Sequence, residues 1–302
     1  MYIWMIYDRA GLRCNADYVS LYRKHCRKYQ MDVIAVYDDE VKGRVLRGER
    51  PVCAFVRTIN PEINRYLEEQ RIPVYNSYEV SRICNHKGKT LKYLQDKVFC
   101  VPSITLQGGT LLHILNMDVS GTKEFFGQTF SFSKFYEKEK ELLERSEDFV
   151  VKTVDGHGGA EVFSLMRERE RIKMISPGRE VVLQPMISSG KSGRDLRVYV
   201  IGRRIVAAVM RSSADDFRAN YSRGGSVRLF DLKPEQKEIA WQVIHAFDFG
   251  MAGIDFILDE NDNFILNEIE DVVGARMLYE CAPEIDIARE YLDDVLGRIA
   301  KR

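Results

Sequence analysis

"GIDFILDENDNFILNEIE", Gly253–Glu270, decides how this chain is read. Two apolar runs flank Asn261-Asp262, residue types that tolerate the positive φ of a tight turn. A hairpin turning there sets Glu260 opposite Asn263, Ile257 opposite Leu266 and Asp255 opposite Glu268. Glu270 follows two residues after Glu268 and shares its sheet face. Acids are poor strand formers, and like charges facing one another across a ladder destabilise it. A hard divalent cation, Mg²⁺ foremost, removes that cost because it prefers oxygen ligands and bridges phosphates. The bland alternative is a solvated acidic strand end. A slip of one residue in register scatters the three acids. Asp271 points to the other face and is expected to be structural.

A second segment points to phosphate. "FVVKTVDGHGG" (149–159) places Lys152 on an apolar strand and follows it with three glycines and His157. Glycine lets backbone N–H groups approach an anion closely. An ordinary hairpin loop with a snorkelling lysine is the plain alternative. His157 reads as a loop residue, since no second histidine stands at metal-ligand spacing. A third segment, "GRDLRVYVIGRRIVAAVMRSSADDFRANYSRGG" (193–225), carries Arg194, Arg197, Arg211, Arg218 and Arg223. Arginine grips phosphate and carboxylate bidentately. Here the alternative is a solvated loop paired with Asp215 and Asp216.

Composition excludes some classes of function. The 302 residues carry 45 basic and 45 acidic side chains, a formal net charge of zero. No global field favours nucleic acid or a membrane surface. Cys14, Cys26, Cys53, Cys84, Cys100 and Cys281 form no C-x-x-C pair, so reduced thiols in a cytoplasmic protein are expected. No apolar run approaches the ~18 residues of a membrane span. "MYIWMIY" lacks the basic start of a signal peptide and reads as a first strand.

Strand and helix alternate through the first part of the chain. Strands are expected at 2–7, 32–39, 52–58 and 72–77. "RAGLRCN" (9–15) reads as a loop and 16–29 as a helix. Another helix opens at Asn60-Pro61, an N-cap followed by proline at the first helical position. This alternation predicts a parallel α/β unit covering about 1–82. Downstream, helices are expected at 86–96, 134–148, 233–249 and 284–299. Strands are expected at 101–106, 149–154, 160–166 and 180–187, with hairpins at 195–211 and 252–270. The stretch 107–130 gives no readable pattern.

The order of these features resembles the ATP-grasp superfamily, and within it the RimK-like carboxylate–amine ligases typified by ribosomal protein S6 glutamate ligases. "VYNSYEVSRICNHKGKTLKYL" is similar to the family's entry to the fold, with Lys87 at its first nucleotide-contacting lysine. "FVVKTVDGHGG" matches the second lysine, Lys152, and the phosphate-covering loop Asp155, Gly156, His157, Gly158 and Gly159. "VLQPMI" matches the strand whose backbone holds adenine, through Gln184, Pro185, Met186 and Ile187. "GRDLRVYVIGRRIVAAVMR" and "DFRANYSRGGS" are close to the family's spelling.

The resemblance implies an α/β (α+β) ATP-grasp fold. A Rossmann-like parallel pre-ATP-grasp domain (1–82) precedes an ATP-grasp domain (83–302), whose antiparallel subdomains, about 100–187 and 188–302, hold ATP between them. It implies ATP contacts from Asp195 and Arg197, and catalytic roles for Arg211, Arg218, Asn220 and Arg223, with Arg211 or Arg223 on an acyl phosphate. It implies Asp255, Glu268 and Glu270 around one or two Mg²⁺, with Mn²⁺ as a substitute ion. The implied substrates are a small-molecule or peptide carboxylate and an amine, and the implied assembly a homodimer or homotetramer. Four departures stand out. Glu270 replaces the family's usual Asn, "DVVGA" replaces a Ser-Pro-Gly turn, Pro185 replaces an acid, and the glycine loop is short. A kinase on the same fold and a non-catalytic nucleotide-binding module remain alternatives at this stage.

Overall fold

The computed structural model describes residues 1–156, 161–187, 193–213 and 225–301. Among these, β1 (Tyr2–Tyr7), β2 (Asp32–Tyr37), β3 (Ala54–Val56) and β4 (Val74–Tyr75) form a parallel sheet in the order β2-β1-β3-β4. The β1 side chains are nearly all buried, which is why the strand reads as one apolar run rather than an alternating one. Helix Pro61–Glu69 starts as expected, with the Asn60 side chain accepting from the Glu62 amide. The segment after β1 differs from expectation. Arg9–Cys14 is a short helix, because the Asp8 side chain accepts from the Gly11 amide and caps it.

The second sheet contains β5 (Ile104–Gln107), β6 (Phe149–Thr153), β7 (Val162–Ser164) and β8 (Glu180–Pro185), antiparallel in the order β5-β8-β6-β7. The unreadable stretch 107–130 folds as two helices, Gly108–Ile114 and Val119–Thr129. The first is short, and the second is capped by Asp118 on Gly121 and buries Thr122 and Phe126. Their glycines and scattered apolar residues hid the helical period, and packing against this sheet supplies the order.

The third sheet holds β9 (Gly193–Ile201), β10 (Arg204–Ser213), β11 (Ser226–Leu229), β12 (Met251–Leu258) and β13 (Phe264–Glu270), antiparallel in the order β11-β10-β9-β12-β13. Gly202 takes φ 60° at the β9–β10 turn, as its position predicts. Edge strand β13 is covered rather than bare. The Leu266 amide bonds the Phe99 carbonyl, and the Val101 amide bonds the Leu266 carbonyl.

One hydrophobic cluster joins Ile3, Met5, Tyr22 and Phe55 to Tyr199, Met251, Leu278 and Tyr291. The last helix, Ile287–Ala300, brings Tyr291 to 4.9 Å from Phe55, ring centre to ring centre. The end of the chain thus packs into the core of its beginning. Helix Pro234–His245 covers the opposite face of the third sheet through Ala240, Val243 and Ile244.

Candidate active site

Three rows of the third sheet build the site. Cross-strand register sets Arg197 beside Asp255 and Asp255 beside Glu268. A neighbouring row sets Arg211 beside Asp195, and a third sets Gly253 between Tyr199 and Glu270. Alternation along each strand puts Asp195, Arg197, Asp255, Glu268 and Glu270 on one face. Asp271 falls outside the group, as expected, and is buried near Ser81 and Asn85.

The hairpin reaches this register by a route the sequence did not show. The expected turn at Asn261-Asp262 is wider. Leu258 pairs with Phe264, and the Asp259 side chain accepts from the Asn261 and Asn263 amides. Ile257 therefore faces Ile265, and Phe256 faces Leu266, one residue out from expectation. A bulge between Phe256 and Asp255 then restores Asp255 opposite Glu268. The extra residue is Asn267. Its Oδ1 accepts from the Lys152 ammonium at 2.7 Å. Sequence reasoning missed Asn267 because it assumed a regular ladder. A polar residue breaking the "FIL-N-EIE" run is the trace that was there.

The carboxylates do not face one another uncompensated. Arg197 donates from Nε and one terminal nitrogen to the two oxygens of Asp255, both at 2.7 Å. Arg211 adds a third bond to Asp255 at 2.7 Å and forms a bidentate pair with Asp195. The Arg197 terminal nitrogen also lies 2.8 Å from Glu270. The expectation that a cation alone relieves the repulsion is therefore corrected, since two buried guanidinium groups already do so. Gly253 makes room for this. A Cβ there would stand 3.2 Å from Arg197 Cδ and 2.7 Å from Val273.

Both lysines reach the same cluster. Lys87 lies 3.5 Å from Glu268 and donates to the Gly156 carbonyl at the start of the glycine loop. Burial pushes the Lys152 ammonium down to about 8, against the attraction of Glu268. Burial pushes Asp195 up to about 6, although Arg211 opposes it. Burial also works against ionised Asp255, but Arg197 and Arg211 override it and hold that carboxyl well below its usual range. Glu268 is lowered because Lys87 and Lys152 outweigh its burial, whereas burial of Glu270 outweighs Arg197 and raises it.

Asp255, Glu268 and Glu270 offer oxygens within 4.8 Å of one another. Octahedral Mg²⁺, with bonds near 2.1 Å, sets its oxygens about 3–4 Å apart, so a small closing of the side chains fits the ion. Asp255 Oδ1 takes a single hydrogen bond and keeps a lone pair for it.

Glu268 and Glu270 line a cavity of about 760 Å³ with Lys87, Lys152, Gly156, Gln184, Pro185, Met186 and Ile187, and Asp255 is fully buried beside them. Val101, Val150 and Ile257, none of them expected, supply apolar wall. The Met186 amide is used by the Asp148 carbonyl, and Pro185 has no N–H. Ile187 therefore keeps the free backbone donor of this segment among the described residues. Gln184 turns its amide to the Ser103 hydroxyl and packs as a buried structural group. Asp155 is exposed and pairs with Arg179 at 2.9 Å. His157, Gly158, Gly159, Arg218, Asn220 and Arg223 lie outside the described residues.

Residues 117–295 match the model of the RimK-like ATP-grasp domain. The chain belongs to the RimK-like ATP-grasp family. The expectation of that family, drawn from the lysines, arginines and paired acids, is borne out. Uncharacterized protein MG011 of Mycoplasma genitalium is 31% identical over 82% of this chain and 72% of its own length. The MG011 homolog of Mycoplasma pneumoniae is 36% identical over 46% of this chain and 49% of its own, so that match spans about half of the relative. Human beta-citrylglutamate synthase B is 25% identical over 99% of this chain and 80% of its own length. Among solved structures, D-alanine–D-alanine ligase of Bacillus anthracis complexed with ATP superposes with a TM-score of 0.69, at 15% identity over 100% of this chain and 98% of that one. The ligase PsnB with a precursor variant, Mg and ADP superposes with a TM-score of 0.64, at 16% identity over 98% of each chain. The RimK-like family gathers ATP-dependent ligases that form C–N bonds, which is the enzyme class expected from the residues. No helix among the described residues is long and apolar enough to cross a membrane.

Proposed function

We propose that this RimK-like protein joins a carboxylate to an amine at the expense of ATP, through an acyl phosphate. The observation that carries this is the meeting of Lys87 and Lys152 with Glu268 and Glu270 on one cavity wall, with buried Asp255 within 4.8 Å of both glutamates. Among the described residues, Asp195, Asp255, Glu268 and Glu270 face Lys87, Lys152, Arg197 and Arg211, so these side chains together are close to neutral. ATP brings four negative charges, which two divalent ions balance, and this supports a two-ion site.

The lysines hold phosphate oxygens, and Ile187 offers its N–H to the base. Bound Mg²⁺ supplies charge neutralisation between the phosphates. A substrate carboxylate oxygen attacks the γ-phosphorus as the bond to ADP breaks. An amine nitrogen then attacks the acyl carbon, phosphate leaves, and one proton is released. Charge stabilisation provides most of the rate gain, so no nucleophilic side chain is needed. Arg211 is assigned the acyl phosphate, which requires it to loosen from Asp195. Residues 1–82 are assigned the pre-ATP-grasp role and 83–302 the ATP-grasp role.

The test is ADP release with amino acids and short acidic peptides, with product masses measured. Lys152→Ala and Glu268→Gln should abolish turnover in folded protein. Normal ADP production in both overturns the assignment, and ADP release that needs no amine assigns a kinase instead.

A further inference from the structure

The cavity continues past the carboxylate cluster, and β13 with its continuation orders what lies along it. Asn267 meets Lys152, Glu268 faces Lys87, Glu270 meets Arg197, and the Val273 carbonyl accepts from Arg57 at 2.7 Å. Three residues of extended chain span at most about 11 Å. Arg57 thus lies within reach of a small molecule whose reacting end sits at the carboxylates.

Arg57 is a cation without a carboxylate partner among the described residues. It follows β3 and lines the cavity beside Tyr18, whose ring centre is 5.5 Å from the guanidinium. Its Nε–H is buried and unpartnered. Asp271 feels its charge, but makes no ion pair with it. Arg276 lines the same end, is exposed, and has no ion pair among the described residues. Among the described residues, the acid that accompanies them on this wall is Asp17. Among the described residues, four acids balance four cations at the metal cluster, whereas here cations are in excess. A guanidinium held half-buried without a partner anion is costly, and a bidentate carboxylate is the ligand its fork fits.

We infer that Arg57 and Arg276 hold a second, unreacting carboxylate of the acyl donor, so that the donor is a small dicarboxylate. This rests on the ligase reading above. It makes both arginines specificity-determining residues, on the opposite side of the metal cluster from the nucleotide.

The test uses succinate, glutarate and glutamate, each beside its monomethyl ester, with MgATP and with hydroxylamine as the amine. Hydroxylamine converts an acyl phosphate to a hydroxamate as phosphate leaves. At least one diacid should release ADP, with its ester poorer in kcat/KM by about 30-fold, the lower range for removing one partner of a buried charge pair. Arg57→Gln should raise the diacid KM by a similar factor and abolish the preference for diacid over ester. Arg276→Gln, at an exposed position where folding is not at stake, should move the same KM in the same direction. An unchanged diacid KM in both variants, or an ester as good as its diacid, overturns the inference. Turnover confined to monoacids or peptides overturns it as well. The ligase reading fails separately, by absence of a MgATP-induced thermal shift in the unsubstituted protein.

Discussion

Arg197 ties Asp255 to Glu270. One guanidinium holds both oxygens of the buried aspartate and, through a shared terminal nitrogen, the glutamate beyond it. Removing one partner of a buried ion pair typically costs about 3–5 kcal/mol, because the other charge is left uncompensated. Arg197→Met should therefore lower unfolding stability by that order in urea melts. A change below about 1 kcal/mol would show that the pair is dispensable.

Glu270 stands where the RimK-like family usually has Asn, and its extra charge already meets Arg197. In Glu270→Asn an oxygen ligand remains, but Arg197 then adds unbalanced positive charge beside the cation site. The Mg²⁺ concentration for half-maximal ADP release should rise roughly tenfold, about 1.4 kcal/mol of lost attraction. Binding of Mn²⁺ followed by paramagnetic resonance should weaken in parallel. An unaltered Mg²⁺ titration contradicts the role given to this charge.

Asn267 is the residue the bulge presents to Lys152. Asn267→Leu leaves that ammonium buried without its acceptor, a loss of roughly 1–3 kcal/mol. The KM for ATP should rise about tenfold, more than that for the acid substrate, if Lys152 holds phosphate. Equal effects on both substrates would argue for a general collapse of the site.

Burial pushes Asp271 up to about 6, above its unfolded range near 4. The folded chain then binds this proton more tightly, so stability is fully present below about pH 4 and is lost as pH rises through 6. Asp271→Asn removes that slope. At pH 7 the variant should be the more stable by on the order of 1 kcal/mol, and at pH 4 the advantage should vanish. Melting temperatures at the two pH values decide it.

Cys14 is exposed, while Cys26, Cys53, Cys84 and Cys100 are buried, with burial pushing Cys26 up to about 11 and Cys53 to about 12. A thiol reagent at pH 8 should label Cys14 first and the four buried thiols only on unfolding. Fast labelling of Cys53 in native protein would contradict the packing of the shared core.

Several elements were plain in the residues themselves. Asn60-Pro61 marked a helix start, Gly202 a turn, and β1 a buried strand, because each depends on local backbone chemistry. The order of lysine, glycine loop, arginines and paired acids sufficed for the family. The helices of 107–130 did not show, since their stability comes from the sheet they cover.

Read alone, the sequence determined that Glu268 and Glu270 share a sheet face, because strand alternation is a property of the backbone; that Asp255 stands opposite Glu268 depends on the bulge. Only the tertiary structure decided what neutralises them. Arg197 and Arg211 arrive from strands more than forty residues away, and the bulge that turns Asn267 to Lys152 is set by how two strands pair. The same holds for Arg57, which sits at the end of an ordinary strand in the sequence. It becomes a cavity cation only where the chain after β13 folds against it, since charge balance is decided by neighbours in space.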